Sequence, residues 1–262
     1  MDKRLDFRFE IPQQPKGPLV ELSAAEAEKM LLKKLDAAGA NKKAALWELA
    51  QFYKNNKQHE QALERLRQLI QLLPDPEAKA NCVFTMGQAE EKVGDYAAAI
   101  GYYKEALALE PASTFTWYFI HNNLGYSLNT LGRFAEGEEL CRKAIQIDPA
   151  RSNGHKNLGI ALAGQGQYHD AAQAFVAATQ ANASDPRALR LLEDLLKQHP
   201  DLEYEFQDDV ELCRKAIEVA AKKAEELKPV VYRGWRKQWL LLKVKIQSVF
   251  RHLRGNSGKT TI

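Results

Sequence analysis

The chain has 262 residues, of which 45% are hydrophobic and 27% charged, a composition that predicts a folded protein and excludes a disordered one. Its apolar runs fall far short of the roughly 20 residues that span a bilayer, and charges interrupt the N-terminus where a secretory signal needs an apolar stretch, so we expect a cytoplasmic protein. The formal net charge of +3 is unevenly divided, because residues 228–262 hold many Lys and Arg but no Asp or Glu, which leaves the preceding chain acidic.

Two short segments precede the main body of the chain. Residues 1–22 alternate apolar and polar side chains from Leu5 to Ile11 and then carry prolines at 12, 15 and 18, which predicts an extended arm. Ser23 and Glu26 have the spacing of a capping box, so a helix should run from about Ala24 to Ala37. We expect residues 23–42 to cap the helical array that follows.

The central part of the chain repeats itself. The segment LGYSLNTLGRFAEGEELCRKAIQIDP from Leu124 aligns without a gap with LGIALAGQGQYHDAAQAFVAATQANA from Leu158, at an offset of 34 residues. Two further copies begin at Met86 and Leu49. The copies share a small residue near the start, a turn position seven residues on and, in three of them, a final proline: Ala50, Gly87, Gly125 and Gly159; Lys57, Gly94, Gly132 and Gly166; Pro74, Pro111 and Pro149.

These shared positions have a physical meaning for two packed helices. A small residue lets the helices of a hairpin approach closely, glycine removes the steric cost of a left-handed turn, and proline ends the second helix. The pattern and its 34-residue period resemble the tetratricopeptide repeat family over about residues 43–183. The resemblance implies an all-α fold, a right-handed superhelical solenoid of antiparallel helix hairpins that complete their cores by stacking. Spacings of 37 and 38 residues between the first three small residues predict longer first helices or loops.

A fifth, divergent hairpin is expected beyond these copies. The heptapeptide ELCRKAI occurs at residues 139–145 and again at 211–217, an offset of 72 residues, which is close to two repeats. We therefore expect a first helix at Pro186–Gln198, a loop at Pro200–Phe206 and a second helix at Asp208–Leu227. The repeat domain would then span residues 43–227 with about five hairpins.

In the tetratricopeptide family, the first helices of successive hairpins line a concave face that holds a peptide or a helix of another protein. Side chains one turn apart on those helices point the same way. Alignment places these candidate partner-binding residues there: Trp47, Gln51, Asn81, Phe84, Gln88, Phe119, Asn122, Asn123, Tyr126, Asn153, Lys156 and Asn157. Amides dominate the set, and an amide offers donors and an acceptor that can pair with any peptide backbone.

Two of these amides lie in repeated NLG segments. Asn123 and Asn157 each precede the signature glycine by two residues, which resembles the asparagine ladder of superhelical tetratricopeptide domains. The chaperone-binding subtype of the family instead holds a C-terminal carboxylate with Lys, Arg and Asn at set positions. Phe84, Gln88 and Asn153 occupy such positions in this chain, together with the two asparagines, so a carboxylate clamp is not expected.

The basic C-terminal segment, residues 228–254, has a strongly amphipathic helical pattern, because seven large apolar side chains from Trp235 to Leu253 fall within about 100° of arc. Three roles fit it: a cap on the open end of the solenoid, a helix on an anionic membrane surface, or contact with nucleic acid or an acidic protein. The basic residues available for the last two roles are Arg233, Arg236, Lys237, Lys243, Lys245, Arg251 and Arg254. Residues 255–262 predict a flexible tail.

No motif in the sequence predicts catalysis. The histidines and the three cysteines lack metal-ligand spacing, and no catalytic triad, metal site or cofactor motif is recognisable. The sequence therefore predicts a noncatalytic scaffold or adaptor that binds another protein, and it disfavours nucleic acid as a partner. Two alternatives remain: a peripheral-membrane assembly factor that uses the basic C-terminal segment, and a noncatalytic subunit of an enzyme complex.

Overall fold

The computed structural model describes residues 23–226, and within that range Ala24–Ala221 form one compact unit. The described range contains α-helices and two 3-10 turns, Gly39–Asn41 and Pro200–Leu202, and no β-strand. The helices are α1 (Ala24–Asp36), α2 (Lys42–Asn55), α3 (His59–Ile70), α4 (Pro76–Val93), α5 (Tyr96–Ala108), α6 (Thr114–Thr130), α7 (Phe134–Ile147), α8 (Ser152–Gly164), α9 (Tyr168–Ala181), α10 (Arg187–Gln198) and α11 (203–226).

The predicted turn positions have the left-handed backbone that they were expected to need. Gly94, Gly132 and Gly166 have φ angles of 87°, 74° and 78°, and each follows the first helix of a hairpin. Lys57 takes the equivalent position between α2 and α3 with a φ of 60° although it has a Cβ. Glycine adopts this conformation without the steric cost that other residues carry, which explains its recurrence.

The glycines at the small-residue positions of α4 and α8 are required by contact with the second helix of the same hairpin. A Cβ added to Gly87 would lie 2.4 Å from Tyr103 Cε1, and one added to Gly159 would lie 2.5 Å from Phe175 Cε1. Both distances are far below van der Waals contact, so the helix axes can be this close only where the side chain is absent.

Hairpins stack in chain order. Helices α2, α4, α6 and α8 each pair with the helix that follows them, and each second helix also packs against the first helix of the next hairpin. Buried side chains such as Leu66, Met86, Tyr103, Leu124 and Phe175 fill the layers between hairpins. This arrangement confirms the predicted all-α solenoid of antiparallel hairpins. Helix α1 packs on α2, where Leu31, Leu32 and Leu35 cover buried side chains of the first hairpin.

The longer repeat spacings come from longer first helices. Helix α4 has 18 residues and α6 has 17, whereas α8, in the copy with the 34-residue spacing, has 13.

The fifth hairpin forms, but the predicted loop at Pro200–Phe206 is wrong. Only a 3-10 turn at Pro200–Leu202 separates α10 from α11, which begins at residue 203 rather than Asp208. Phe206, Val210 and Cys213 are buried in one cluster with Leu192 of α10. Their spacing of four and three residues puts them on one helical face, so the helix must already have begun before Phe206.

Residues 1–22 and 227–262 lie outside the described range. The predicted N-terminal arm, the amphipathic segment 228–254 with its basic residues, and the tail 255–262 all fall there. Among the residues that are described, no helix is both long and apolar enough to cross a membrane.

Candidate protein-binding groove

The twelve candidate partner-binding residues all lie on first helices of hairpins, as the alignment predicted. Helix α2 carries two of them, α4 and α8 three each, and α6 four. Helix α4 touches α6 and α6 touches α8, and two side-chain hydrogen bonds connect α2 with α4, so the four helices form a continuous surface. Ten of the twelve side chains are partly exposed, and Asn122 and Asn157 are buried. We call the partly exposed face of α2, α4, α6 and α8 the first-helix face.

Aromatic side chains on this face lie half in the core. Trp47 packs against the apolar cluster between the first two hairpins. The ring of Phe84 lies 5.5 Å from the ring of Tyr103, and Tyr126 meets Tyr96 edge-on at 6.0 Å. Each of these rings therefore has one side packed against the protein and is partly exposed to solvent.

An arginine covers the fourth aromatic candidate, Phe119. The guanidinium of Arg151 lies 4.9 Å from the Phe119 ring centroid and within 5.2 Å of the centroids of Phe115 and Tyr118, and its Nε donates to Asp148 at 2.6 Å. Phe115 is 59% exposed beside it. Cation–π contacts therefore make this end of α6 a mixed aromatic and cationic surface. The aromatic run at 115–119 was visible in the sequence, but nothing there pointed to Arg151.

Asn122 and Asn157 differ from the other amides, because they bond to each other between α6 and α8. Asn157 Nδ2 donates to Asn122 Oδ1 at 3.1 Å, and Asn129 Nδ2 donates to the backbone carbonyl of Asn157 at 2.8 Å. Asn122 is 5% exposed and Asn157 3%. The two side chains join neighbouring hairpins and do not face solvent, so we leave them out of the proposed binding surface.

Replacing Asn157 by Ala should lower the free energy of unfolding by about 1 kcal/mol, because the buried Asn122 Oδ1 then loses its donor. Asn153→Ala on the same helix should leave stability within about 0.5 kcal/mol of wild type, since Asn153 is partly exposed. Urea unfolding followed by circular dichroism measures both values. Equal stability of the two variants would mean that Asn157 has no structural role.

Asn123 belongs to a second polar cluster, which the sequence did not reveal. Its Nδ2 donates to Glu91 Oε2 at 3.4 Å, and the hydroxyl of Tyr103 donates to the same carboxylate. Burial raises the pKa of Glu91 to about 7, although the hydrogen bonds from Tyr103 and Asn123 oppose this shift. At neutral pH this carboxyl therefore contributes only part of a negative charge to the first-helix face.

Two lysines on the same face were also missed. Lys54 Nζ donates to Gln88 Oε1 at 3.2 Å, and Lys92 Nζ donates to Asn55 Oδ1 at 3.1 Å, so both bonds connect α2 with α4. The helical spacing could have found them, because Lys54 follows Trp47 by seven residues and Lys92 follows Gln88 by four.

The described residues contain no group of three or more His, Cys, Asp or Glu that could hold a metal ion. Burial raises the pKa of Cys82 and of Cys141 to about 12, so both thiols stay protonated at neutral pH and are poor nucleophiles.

Stacked hairpins, close contacts at small residues and a shared first-helix face define a helical-repeat protein. Three tetratricopeptide repeat family models match residues 43–111, 84–152 and 128–195, and together they cover more than half of the chain. The chain belongs to the tetratricopeptide repeat family.

Two curated relatives share part of this region. Tetratricopeptide repeat protein 7B from Homo sapiens is 30% identical over 106 residues, which are 40% of this chain and 12% of the relative. Hsp70-Hsp90 organizing protein from Triticum aestivum is 30% identical over 112 residues, which are 43% of this chain and 17% of the relative. The chain thus spans less than a fifth of the length of either protein.

Solved structures of MamA have a similar fold. A MamA RS-1 double mutant superposes with a TM-score of 0.54 at 18% identity, covering 66% of this chain and 95% of the other. MamA AMB-1 superposes with a TM-score of 0.50 at 18% identity, covering 66% and 98%. At this identity the likeness supports the solenoid fold alone.

Proposed function

We propose that the chain is a noncatalytic scaffold that holds an extended segment of a partner protein against its first-helix face. The observation that carries the proposal is the unused hydrogen-bonding capacity of amides on this face. Within residues 23–226, the side chain of Gln51 makes no hydrogen bond, and the side-chain amide of Asn153 only accepts one from Lys156 Nζ. Such amides can pair with the N–H and C=O groups of an extended backbone whatever its side chains are.

The half-buried aromatic rings support the same role. Aromatic side chains and arginine are enriched where proteins bind each other, and this face carries Phe84, Tyr126 and the Arg151 cluster between its amides. The wheat relative is, by its name, a protein that organizes Hsp70 and Hsp90. That name supports a scaffold role for repeats of this kind, although the carboxylate-clamp positions are filled differently in this chain.

The other two roles considered from the sequence have less support. A peripheral-membrane factor depends on residues 228–254, which lie outside the described range. A noncatalytic enzyme subunit depends on no particular residue. Neither is favoured by a contact within residues 23–226.

A triple variant tests the proposed function. Gln51→Ala/Asn123→Ala/Asn153→Ala removes three amides from the first-helix face and should weaken partner binding roughly 10-fold or more, because each lost hydrogen bond contributes about 1 kcal/mol. Quantitative affinity purification with full-length bait measures the partner recovered.

Gln61→Ala/Gln146→Ala/Gln173→Ala is the matched control, since these exposed glutamines lie on second helices. It should recover the partner as well as wild type does. If the groove variant recovered the same proteins in the same amounts as the control, the proposed function would be wrong.

A further inference from the structure

Lys54 and Lys92 occupy equivalent places at the ends of two neighbouring first helices. Lys54 is the penultimate residue of α2, and Lys92 is the penultimate residue of α4. A helix C-terminus favours a cation, which helps the fold to tolerate both charges. Within residues 23–226, however, their side-chain hydrogen bonds go to the neutral amide oxygens of Gln88 and Asn55 and not to a carboxylate.

Lys54 is not an ordinary solvated lysine. Its side chain is only partly exposed, and burial together with repulsion from Lys92 lowers the pKa of Lys54 to about 8. Lys54 bonds to Gln88, one turn before Lys92, and Lys92 bonds to Asn55, next to Lys54, so the two lysines lie on the same contact between α2 and α4. Lys54 is partly buried and Lys92 is exposed, and an anion that bonds to both would offset their mutual repulsion.

Of the four glutamates on α2 and α4, Glu90 is buried and interacts with His59 and Arg67, and the other three bond to other groups. Glu48 pairs with Lys34 at 2.5 Å, Glu77 accepts from Thr116 Oγ1 at 2.6 Å, and Glu91 accepts from Tyr103 and Asn123. Within residues 23–226, no Asp or Glu forms an ion pair with Lys54 or Lys92, so both ammonium groups can bind a carboxylate of a ligand.

The position of the pair relates it to the rest of the first-helix face. Gln51 lies one turn before Lys54, and Gln88 lies one turn before Lys92. An extended segment crossing α2 and α4 would therefore meet amides and cations side by side. Neither lysine lies at the alignment positions that the carboxylate clamp uses.

We propose that Lys54 and Lys92 together bind the side-chain carboxylate of an Asp or Glu within an extended segment of the partner protein. Gln51 and Gln88, beside them, pair with the backbone of that segment. This inference rests on the proposed function, and it adds that the partner segment is acidic.

A random dodecapeptide library displayed on phage and selected on the full-length protein tests the inference. Selected peptides should share an Asp or Glu at one aligned position, and selection on Lys54→Gln/Lys92→Gln should lose that preference. One selected peptide, synthesised with an amidated C-terminus, is then measured by fluorescence anisotropy. Changing its shared Glu to Gln, or Asp to Asn, should weaken binding roughly 10- to 100-fold, the effect of one charge-assisted contact.

A double-mutant cycle connects the two sides of the contact. Lys54→Gln/Lys92→Gln should weaken binding of the acidic peptide by a similar factor. It should hardly change binding of the peptide whose Glu or Asp has been replaced by Gln or Asn. Lys104→Gln/Lys143→Gln removes the same charge from exposed sites on the second helices and should bind the acidic peptide like wild type. Because the peptide arm alters no residue of the protein, a folding defect cannot mimic the result.

The outcomes separate this inference from the proposed function. Suppose that the selected peptides share no acidic residue and bind the Lys54→Gln/Lys92→Gln variant but not the Gln51→Ala/Asn123→Ala/Asn153→Ala variant. That result would leave the proposed function intact and overturn the lysine site. If every selected peptide still bound the Gln51→Ala/Asn123→Ala/Asn153→Ala variant, both the proposed function and the lysine site would be overturned. Binding of the oligonucleotide dT12 to the lysine pair as tightly as the peptide would also contradict the inference, because the site would then favour phosphate.

The pH dependence of peptide binding distinguishes a lysine that binds the carboxylate from one that only stabilises the fold. Acidic-peptide binding should weaken as the pH rises from 7 to 9, because Lys54 loses its proton in this range, whereas Lys54→Arg should keep its affinity. Lys92 is the charged group that acts on Lys54. Other charged groups of the neighbouring helices contact tyrosines and not Lys54: Glu28 of α1 and Arg65 of α3 interact with Tyr53, and Glu91 of α4 accepts from Tyr103. Parallel pH profiles of wild type and Lys54→Arg would count against the proposal.

Discussion

Replacing Glu91 by Gln should raise the free energy of unfolding by roughly 3 kcal/mol at pH 8 and leave it nearly unchanged near pH 4.5. Burial raises the pKa of Glu91 from its ordinary value of 4.5 to about 7 in the folded protein. Because the folded-state pKa is the higher one, the protonated carboxyl stabilises the fold fully below pH 4.5, and this contribution is lost as the pH rises through about 7. The amide introduced by Glu91→Gln would stay neutral and still accept a hydrogen bond from Tyr103.

Urea unfolding between pH 4.5 and 8 measures this difference. Glu105→Gln, at an exposed position on α5, removes a carboxylate without removing a buried one and should follow the wild-type profile within about 0.5 kcal/mol. If the Glu91→Gln and wild-type profiles were parallel, burial would not govern the ionisation of Glu91.

Replacing Gly159 by Ala should lower the free energy of unfolding by about 1–3 kcal/mol. The added methyl group would lie 2.5 Å from the ring of Phe175, which is itself 2% exposed and surrounded by Leu162 and Leu192. The ring has no open space to move into, so α8 and α9 must separate. The cost should exceed the gain of about 1 kcal/mol that Ala usually brings to a helix interior.

Gly101→Ala provides a control of opposite sign. Gly101 lies in α5 on an exposed position, and an added Cβ would meet nothing within 4 Å. This variant should be more stable than wild type by up to about 1 kcal/mol. Thermal and urea unfolding of both variants measure the contrast, and a stabilised Gly159→Ala protein would refute the close-contact explanation of the repeat.

Local sequence signals predicted the hairpins well, because the residues that define them act locally. A glycine such as Gly132 marks a left-handed turn whatever surrounds it. The start of α11 was missed because Pro200 suggested a loop, whereas burial of Phe206 against α10 decides the helix start. That burial is a long-range contact, which local signals do not contain.

The candidate site was predicted at the level of helix faces but not of individual side chains. Alignment of the repeats placed Asn122, Asn123 and Asn157 on first helices, where the structure has them. It did not distinguish an amide that faces a neighbouring hairpin from one that faces solvent, because this depends on how closely α6 and α8 approach. The ionisation of Glu91 and Lys54 was out of reach for the same reason, since both pKa values depend on burial.

Site-specific photo-cross-linking can show which face of the solenoid touches the partner. A photoreactive phenylalanine analogue placed at Gln51 or at Tyr126 samples the first-helix face, and the same analogue at Gln146 or Gln173 samples the second helices. Mass spectrometry of the cross-linked peptides identifies what each position touches. We expect Gln51 and Tyr126 to cross-link to one continuous segment of the same partner protein, and the second-helix positions not to cross-link to it. Cross-links to that partner from Gln146 and Gln173 alone would contradict it.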